Sequence, residues 1–161
     1  MAVPPAGVSV THRAAIAGLF LLAAFGRPAV AQAPPEIRSI TLARLGCYWM
    51  CPRYTVTLHP DGTFDYNGAG EVPKMYQAQG RFPKRKFEAL SRAVQAMDFF
   101  SMPQGPFCSQ CDDEKALIRI ETATESRTLY FHWYGRPNAL TQLGRAINRA
   151  ANLRSLVGRY Y

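Results

Sequence analysis

The sequence predicts a two-layer α+β domain, with a mainly antiparallel sheet and two helices on one face. Short segments alternate apolar and polar residues and are joined by turn signals. Two longer segments carry apolar residues at helical spacing. Their order along the chain is strands, helix, strands, helix.

Ile37 to Arg44 alternates, with Ile40 and Leu42 on one side, and reads as a strand. Arg53 to His59 alternates more regularly. Tyr54, Val56 and Leu58 face one way; Thr55, Thr57 and His59 face the other. Pro60-Asp61-Gly62 supplies a turn, since proline presets its φ and glycine accepts a positive one. Thr63 to Tyr66 returns as the second arm of a hairpin, burying Phe64 and Tyr66, and Asn67 to Gly70 reads as a glycine-rich break. Met75 to Phe82 alternates through Tyr76, Ala78, Gly80 and Phe82 and is expected as a further strand. Pro83 suits a first helical position, where its missing N–H would be unpaired anyway. Phe87, Leu90, Val94 and Met97 then form one apolar stripe of a helix ending near Phe99. Pro103 to Lys115 is expected as a loop. Ala116 to Thr122 and Arg127 to Trp133 make a second hairpin with Leu129, Phe131 and Trp133 inward. Pro137 opens a second helix carrying Leu140, Leu143, Ile147 and Ala151, and residues 158–161 read as a tail.

Residues Ala14 to Phe25 are an apolar run preceded by His12-Arg13 and followed by Ala29-Val30-Ala31. That is the layout of a secretory signal peptide cleaved before Gln32. The run is roughly 12 residues, whereas a membrane-spanning helix needs about 20. The mature chain is therefore expected to be exported to a periplasm or secreted, without a transmembrane segment. Residues 32–36 read as a flexible leader and 37–157 as one domain, large enough for its own core. The chain carries a net charge of +8, and loss of Arg13 and Arg27 with the signal lowers this by two, to +6. Export excludes nucleic acid as the partner and leaves an anionic envelope component or another protein.

Compartment governs the four cysteines. In an oxidising compartment an even count reads as disulfides. Local pairing, Cys47 with Cys51 and Cys108 with Cys111, is preferred because short loops close easily. Cross-pairing would close longer loops and stabilise by roughly 4 kcal/mol per bridge. Two other readings stay open. Four thiolates in two pairs suit a structural zinc site. Cys108-Ser109-Gln110-Cys111 has the spacing of a redox pair, but Asp112, Asp113 and Glu114 follow it, and carboxylates disfavour a thiolate.

The stretch Arg44-Leu45-Gly46-Cys47-Tyr48-Trp49-Met50-Cys51-Pro52-Arg53-Tyr54 resembles the opening of a bacterial family known as domain of unknown function 6438. In that family an arginine precedes a cysteine, a short aromatic-containing loop, then Cys-Pro-x-Tyr and an alternating strand. The resemblance continues through Asp61-Gly62-Thr63, a Tyr66 to Gly68 hairpin arm, Gly80 and a helix ending in a Met97 to Phe100 type segment. It spans roughly Ile37 to Leu156. It implies exported bacterial proteins of unassigned activity and brings no catalytic residues.

No nucleophile serine between glycines, phosphate loop or two-histidine helix motif is present in the sequence. His59 and His132 fall on the polar sides of their strands and read as solvated; a site built on the two would need them close, near Thr55, Thr57 or Tyr130. Asp112, Asp113 and Glu114 read as an exposed acidic loop rather than a calcium site. Lys84, Arg85 and Lys86 crowd the first turn of a helix, where cations oppose the helix dipole, and mark a candidate anion-binding patch. Tyr48, Trp49 and Met50 in the first cysteine loop mark a candidate contact surface. The sequence thus predicts a disulfide-braced, non-enzymatic binding or envelope-associated module without catalytic residues, metal or cofactor. A thiol–disulfide protein using Cys108 and Cys111, or a four-cysteine zinc module, are its alternatives.

Overall fold

A computed structural model describes residues 35–105, 107–108, 111–134 and 138–160. The apolar N-terminal run, its cleavage site, Ser109, Gln110 and Pro137 lie outside the described residues. Six strands, β1 (Ile37–Gly46), β2 (Arg53–Leu58), β3 (Thr63–Gly70), β4 (Gln77–Arg81), β5 (Lys115–Thr122) and β6 (Ser126–His132), form one sheet. Its order is β4-β3-β2-β1-β5-β6, and every neighbouring pair is antiparallel. Helices α1 (Lys84–Ala96) and α2 (Ala139–Ala151) contribute to the same core as the sheet's inward face. A short α3 (Arg154–Val157) and a 3-10 turn (Gly158–Tyr160) follow.

Alternation decides which face is covered. Ile40, Leu42, Tyr54, Val56, Leu58, Ile118, Ile120 and Leu129 are almost wholly buried. Phe87, Leu90 and Val94 of α1 and Leu140, Leu143 and Ile147 of α2 meet them. At about 25 cal/mol per Å², burial of such side chains is the main force holding the two layers together. The opposite face is polar and open, with Thr41 and Thr57 hydroxyls bonded across β1 and β2 at 3.0 Å.

Four expectations change. The stretch Asn67 to Gly70 is not a break: β3 runs through it, with Gly68 paired to Tyr54 and Gly70 to Arg53. Gly68 is there for close approach, because a Cβ on it would lie 1.9 Å from the Lys74 carbonyl oxygen. Strand β4 starts two residues late and ends one early, and Tyr76 is exposed rather than inward. This strand pairs only with β3, so its ends lack a second neighbour. Pro83 precedes α1 as its N-cap residue. The expected tail carries structure, a 3-10 turn over Gly158–Tyr160 that directly follows the fully buried Val157 at the end of α3.

The helices meet the sheet through particular side chains. Asn138 caps α2, its Oδ1 accepting from the Thr141 amide at 2.8 Å. Gly144 lets α2 lie against Trp133, where a Cβ would come within 2.6 Å of the indole. Lys86 Nζ donates to the Arg149 and Ala150 carbonyls at 3.3 and 3.4 Å, joining the start of α1 to the end of α2.

Candidate functional site

The β1–β2 connection leaves the sheet at Gly46 and re-enters at Arg53. Cys47 and Cys51 are joined by a disulfide across its base, with Cα atoms 5.4 Å apart. Three consecutive side chains are held outward by that staple: Tyr48 is 84%, Trp49 74% and Met50 62% exposed. Tyr48 and Trp49 meet edge to face at 6.0 Å. Leu45 at the end of β1 is also exposed.

A second disulfide joins Cys108 and Cys111, with Cα atoms 5.5 Å apart. Pairing is therefore local in both cases, and in this state it leaves no thiolate for a four-cysteine zinc site. Among the described residues no group of three or more His, Cys, Asp or Glu gathers to hold a metal ion. The two stapled loops sit side by side. Gly46 of β1 pairs with Lys115 of β5. The Tyr48 amide donates to Asp112 Oδ1 at 2.8 Å, and Lys115 Nζ donates to the Cys111 carbonyl at 2.6 Å.

Behind the loops lies a buried polar cluster. Arg44 continues the inward phase of Ile40 and Leu42, and Glu114 that of Ala116 and Ile118. The two form an ion pair with both side chains almost fully buried. The Arg44 guanidinium lies 3.7 Å from the centroid of the Trp133 ring. Beside them the Tyr54 hydroxyl and the Asn148 amide exchange hydrogen bonds at 3.0 and 2.8 Å, tying β2 to α2. Burial pushes the Glu114 carboxyl above its ordinary range despite Arg44, and raises the Tyr54 hydroxyl likewise. Arg44 Nη1 and Glu114 Oε2 are buried without a hydrogen-bond partner. The expected acidic loop is thus two exposed residues, Asp112 and Asp113, and one core residue, Glu114.

The two histidines do not meet. His59 bonds Asp65 at 2.8 Å near the turn beyond β2, and Gln79 donates to the same carboxylate at 2.7 Å. Those bonds hold the Asp65 carboxyl below its ordinary range. His132 lies on β6, with β5 and β1 between it and β2. Its ring stacks on Phe107 at 5.6 Å, and its Nε2 accepts the Cys108 amide hydrogen at 3.3 Å. An imidazole therefore stands beside the second disulfide, where the sequence showed only carboxylates. The loop before it also clasps the sheet edge: Gln104 donates to the Tyr130 carbonyl at 2.9 Å and accepts from its amide at 3.3 Å.

The basic cluster is divided. Lys84 and Arg85 are exposed, but Lys86 is half-buried and bonded to the end of α2. It adjoins the turn at Gly62, where Phe82 donates to the Gly62 carbonyl. The aromatic loop is at the other end of β2, about 20 Å away along the strand.

A family model described as Domain of unknown function (DUF6438) matches residues 38–151. The chain belongs to this family. In this DUF6438 protein the residues that carried the resemblance build the scaffold. Arg44 and Tyr54 enter the buried cluster, and the Tyr66 hydroxyl donates to the Lys74 and Leu156 carbonyls at 3.2 and 3.4 Å. Cys47 and Cys51 instead close the loop that holds Tyr48, Trp49 and Met50 at the surface. No curated protein matches this DUF6438 chain.

Proposed function

We propose that this protein is a non-enzymatic binding module of an oxidising compartment, reached by export and signal cleavage near Ala31, and that it docks another protein through the Cys47–Cys51 loop. The observation that carries this reading is three successive large apolar side chains exposed on a loop closed by a disulfide. Exposing them costs solvation free energy that contact with a partner returns. The staple removes loop freedom before binding, so less ordering entropy is lost on contact. Tyrosine, tryptophan and methionine are favoured at interface centres, and Asp112 and Arg53 provide a charged rim. Two disulfides fit an oxidising compartment. Among the described residues no helix is long and apolar enough to cross a membrane. A protein partner is favoured over an anionic envelope component because Lys86 is committed to α2 and the other cations of its cluster, Lys84 and Arg85, lie at the far end of β2 from the aromatic loop.

The test is a photo-crosslinking amino acid installed at Trp49 in the producing cell, with the same group at exposed Tyr76 as control. Position 49 is expected to give a discrete protein adduct and position 76 none. Trp49→Ala is expected to weaken binding of the identified partner by about 2 kcal/mol, near thirtyfold. Absence of any protein adduct at position 49 rejects the reading.

A further inference from the structure

Beyond its apolar N-terminal run the chain does not spread its charge evenly. Residues 32–161 hold 17 Lys and Arg and 11 Asp and Glu, a net of +6. Helices α1, α2 and α3 hold seven of those cations and a single acid, Glu88, which is also +6. Ten cations and ten acids remain, so the rest of residues 32–161 is neutral. Six of the seven helical cations, Lys84, Arg85, Arg92, Arg145, Arg149 and Arg154, are exposed. No ion pair among the described residues involves any of them, and Glu88 pairs with none. The seventh, Lys86, is held by the α2 carbonyls.

Helical periodicity aims four of these cations at one layer. The buried stripe of α1 is Phe87, Leu90 and Val94, and Arg85 and Arg92 lie opposite it, two turns apart. Leu140, Leu143 and Ile147 face the core from α2, and Arg145 and Arg149 lie opposite them, one turn apart. The start of α1 meets the end of α2 at Lys86 and Ala150, and Ala93 and Ala146 line one groove, so the two helices run in opposite directions. Arg85 therefore stands on the Arg149 side and Arg92 on the Arg145 side. Two turns rise about 10 Å and packed axes lie about 10 Å apart, so the four arginines crown a patch roughly 10 Å across. Spacings so close to the screening length of about 8 Å leave them repelling one another, a cost that an apposed anionic surface reverses. The groove between the helices, about 290 Å³, has alanines and Leu90 for its walls, together with Lys86 and Arg149.

We propose that the outer face of α1 and α2 docks on a bilayer containing anionic phospholipid. Two observations favour a lipid surface over an acidic protein. The exposed large apolar side chains of the described residues all lie outside the helices, so this layer lacks the aromatic anchor that centres a protein interface. Between and beyond the arginines of α1 the outward residues are Ala89 and Ala96, and such short side chains leave the guanidinium groups free to reach phosphates spread over a plane. The groove adds an apolar slot beside cations, which matches the junction of a phosphate headgroup with its acyl chains. The same lack of bulky apolar groups keeps the helices on the surface rather than within the acyl region. Binding is then electrostatic: each arginine near the surface raises affinity about fivefold, and salt weakens all of them. The aromatic loop is not part of this layer, so a molecule docked in this way keeps that loop for its protein partner.

The protein recovered from its producing cell is sedimented with vesicles of phosphatidylcholine alone and of an equal mixture of phosphatidylcholine and phosphatidylglycerol. It is expected to pellet with the mixture, to stay in solution with phosphatidylcholine, and to be released by high salt. The fourfold variant Arg85→Gln, Arg92→Gln, Arg145→Gln, Arg149→Gln is expected to bind the mixture at least about a hundredfold more weakly. The variant Arg38→Gln, Lys74→Gln, Arg81→Gln, Arg119→Gln removes the same charge from exposed positions outside the helices, and is expected to lose less than about tenfold. Near-ultraviolet circular dichroism checks that each variant is folded. The pair Arg85→Gln, Arg149→Gln, with an expected loss of about thirtyfold, decides if the first fourfold variant is not. No pelleting with the mixture, equal pelleting with phosphatidylcholine, equal losses in the two fourfold variants, or displacement by polyphosphate at the same phosphate concentration overturns the proposal. Trp49→Ala is expected to leave vesicle binding unaltered, and a loss there as large as that of the helical variant also overturns it. The docking function of the aromatic loop is tested separately by the adduct at position 49, so the two readings fail independently.

Discussion

Burying Arg44 with Glu114 takes two charges from water, and the direct ion pair repays only part of that cost. The indole beneath Arg44 supplies a second attraction, through its negative face. Removing one partner strands the other. Glu114→Ala is expected to lower stability by about 3–5 kcal/mol, because the Arg44 charge remains buried. The double variant Arg44→Met, Glu114→Leu is expected to recover most of that loss, since apolar side chains need no partner. Guanidinium unfolding midpoints check both. A cost for Glu114→Ala below about 1 kcal/mol would show that the pair is not a buried charge couple. The signal for this pair was present in the sequence. Arg44 keeps phase with Ile40 and Leu42, and Glu114, one residue before β5, with Ala116 and Ile118, so two opposite charges fall in inward phase on neighbouring segments. Reading Glu114 with its acidic neighbours Asp112 and Asp113 concealed it.

At the scale of elements, the two long helices start in different ways. Helix α2 has an asparagine cap, whereas α1 begins after Pro83 with no side-chain cap and a run of cations. Asn138→Ala is expected to lower stability by about 1 kcal/mol, and Asn138→Asp by only a few tenths, measured by thermal or denaturant unfolding. An unchanged midpoint in Asn138→Ala would mean that packing alone holds the first turn. Strands with regular alternation, such as Arg53 to Leu58, were legible because one wet face and one dry face impose a period of two. The end of β3 was not, because Gly68 and Gly70 carry no side chain to reveal a phase and are required by neighbouring chain rather than by a turn. Helix α3 is a single turn, too short for periodicity to register. The aromatic loop was legible only as a candidate surface, since with no alternation to set a phase Tyr48, Trp49 and Met50 could equally have folded over one end of the core; the structure exposes all three. The approach of His132 to Cys108 was not, since it joins a strand to a distant loop.

For the whole molecule, ionisable groups set the pH range of stability. Tyr66 is pushed up to about 12 by burial, and Tyr54 is raised for the same reason. Their contribution is fully present below the ordinary tyrosine value of 10.0 and is lost as pH rises through the raised folded-state values. Asp61 and Asp65 work at the other end: their values are lowered, so their contribution is present above 3.8 and lost as pH falls through the lowered values. Glu114 opposes them, because its raised value makes its contribution present below 4.5 and lost as pH rises through that raised value. Above the range in which Glu114 titrates, the denaturant midpoint is therefore expected to hold up to about pH 10 and then fall, and Tyr66→Phe to fall less steeply. A midpoint unchanged into strong alkali would show that Tyr66 and Tyr54 ionise as freely folded as unfolded.

The amide of Gln104 does for β6 what a neighbouring peptide group would do, giving Tyr130 a donor and an acceptor at one point along its margin. The margin at β4 has no counterpart among the described hydrogen bonds. While Gln104 holds them, those two groups are not offered to an incoming strand, so strand addition along β6 must break a bond pair at its middle.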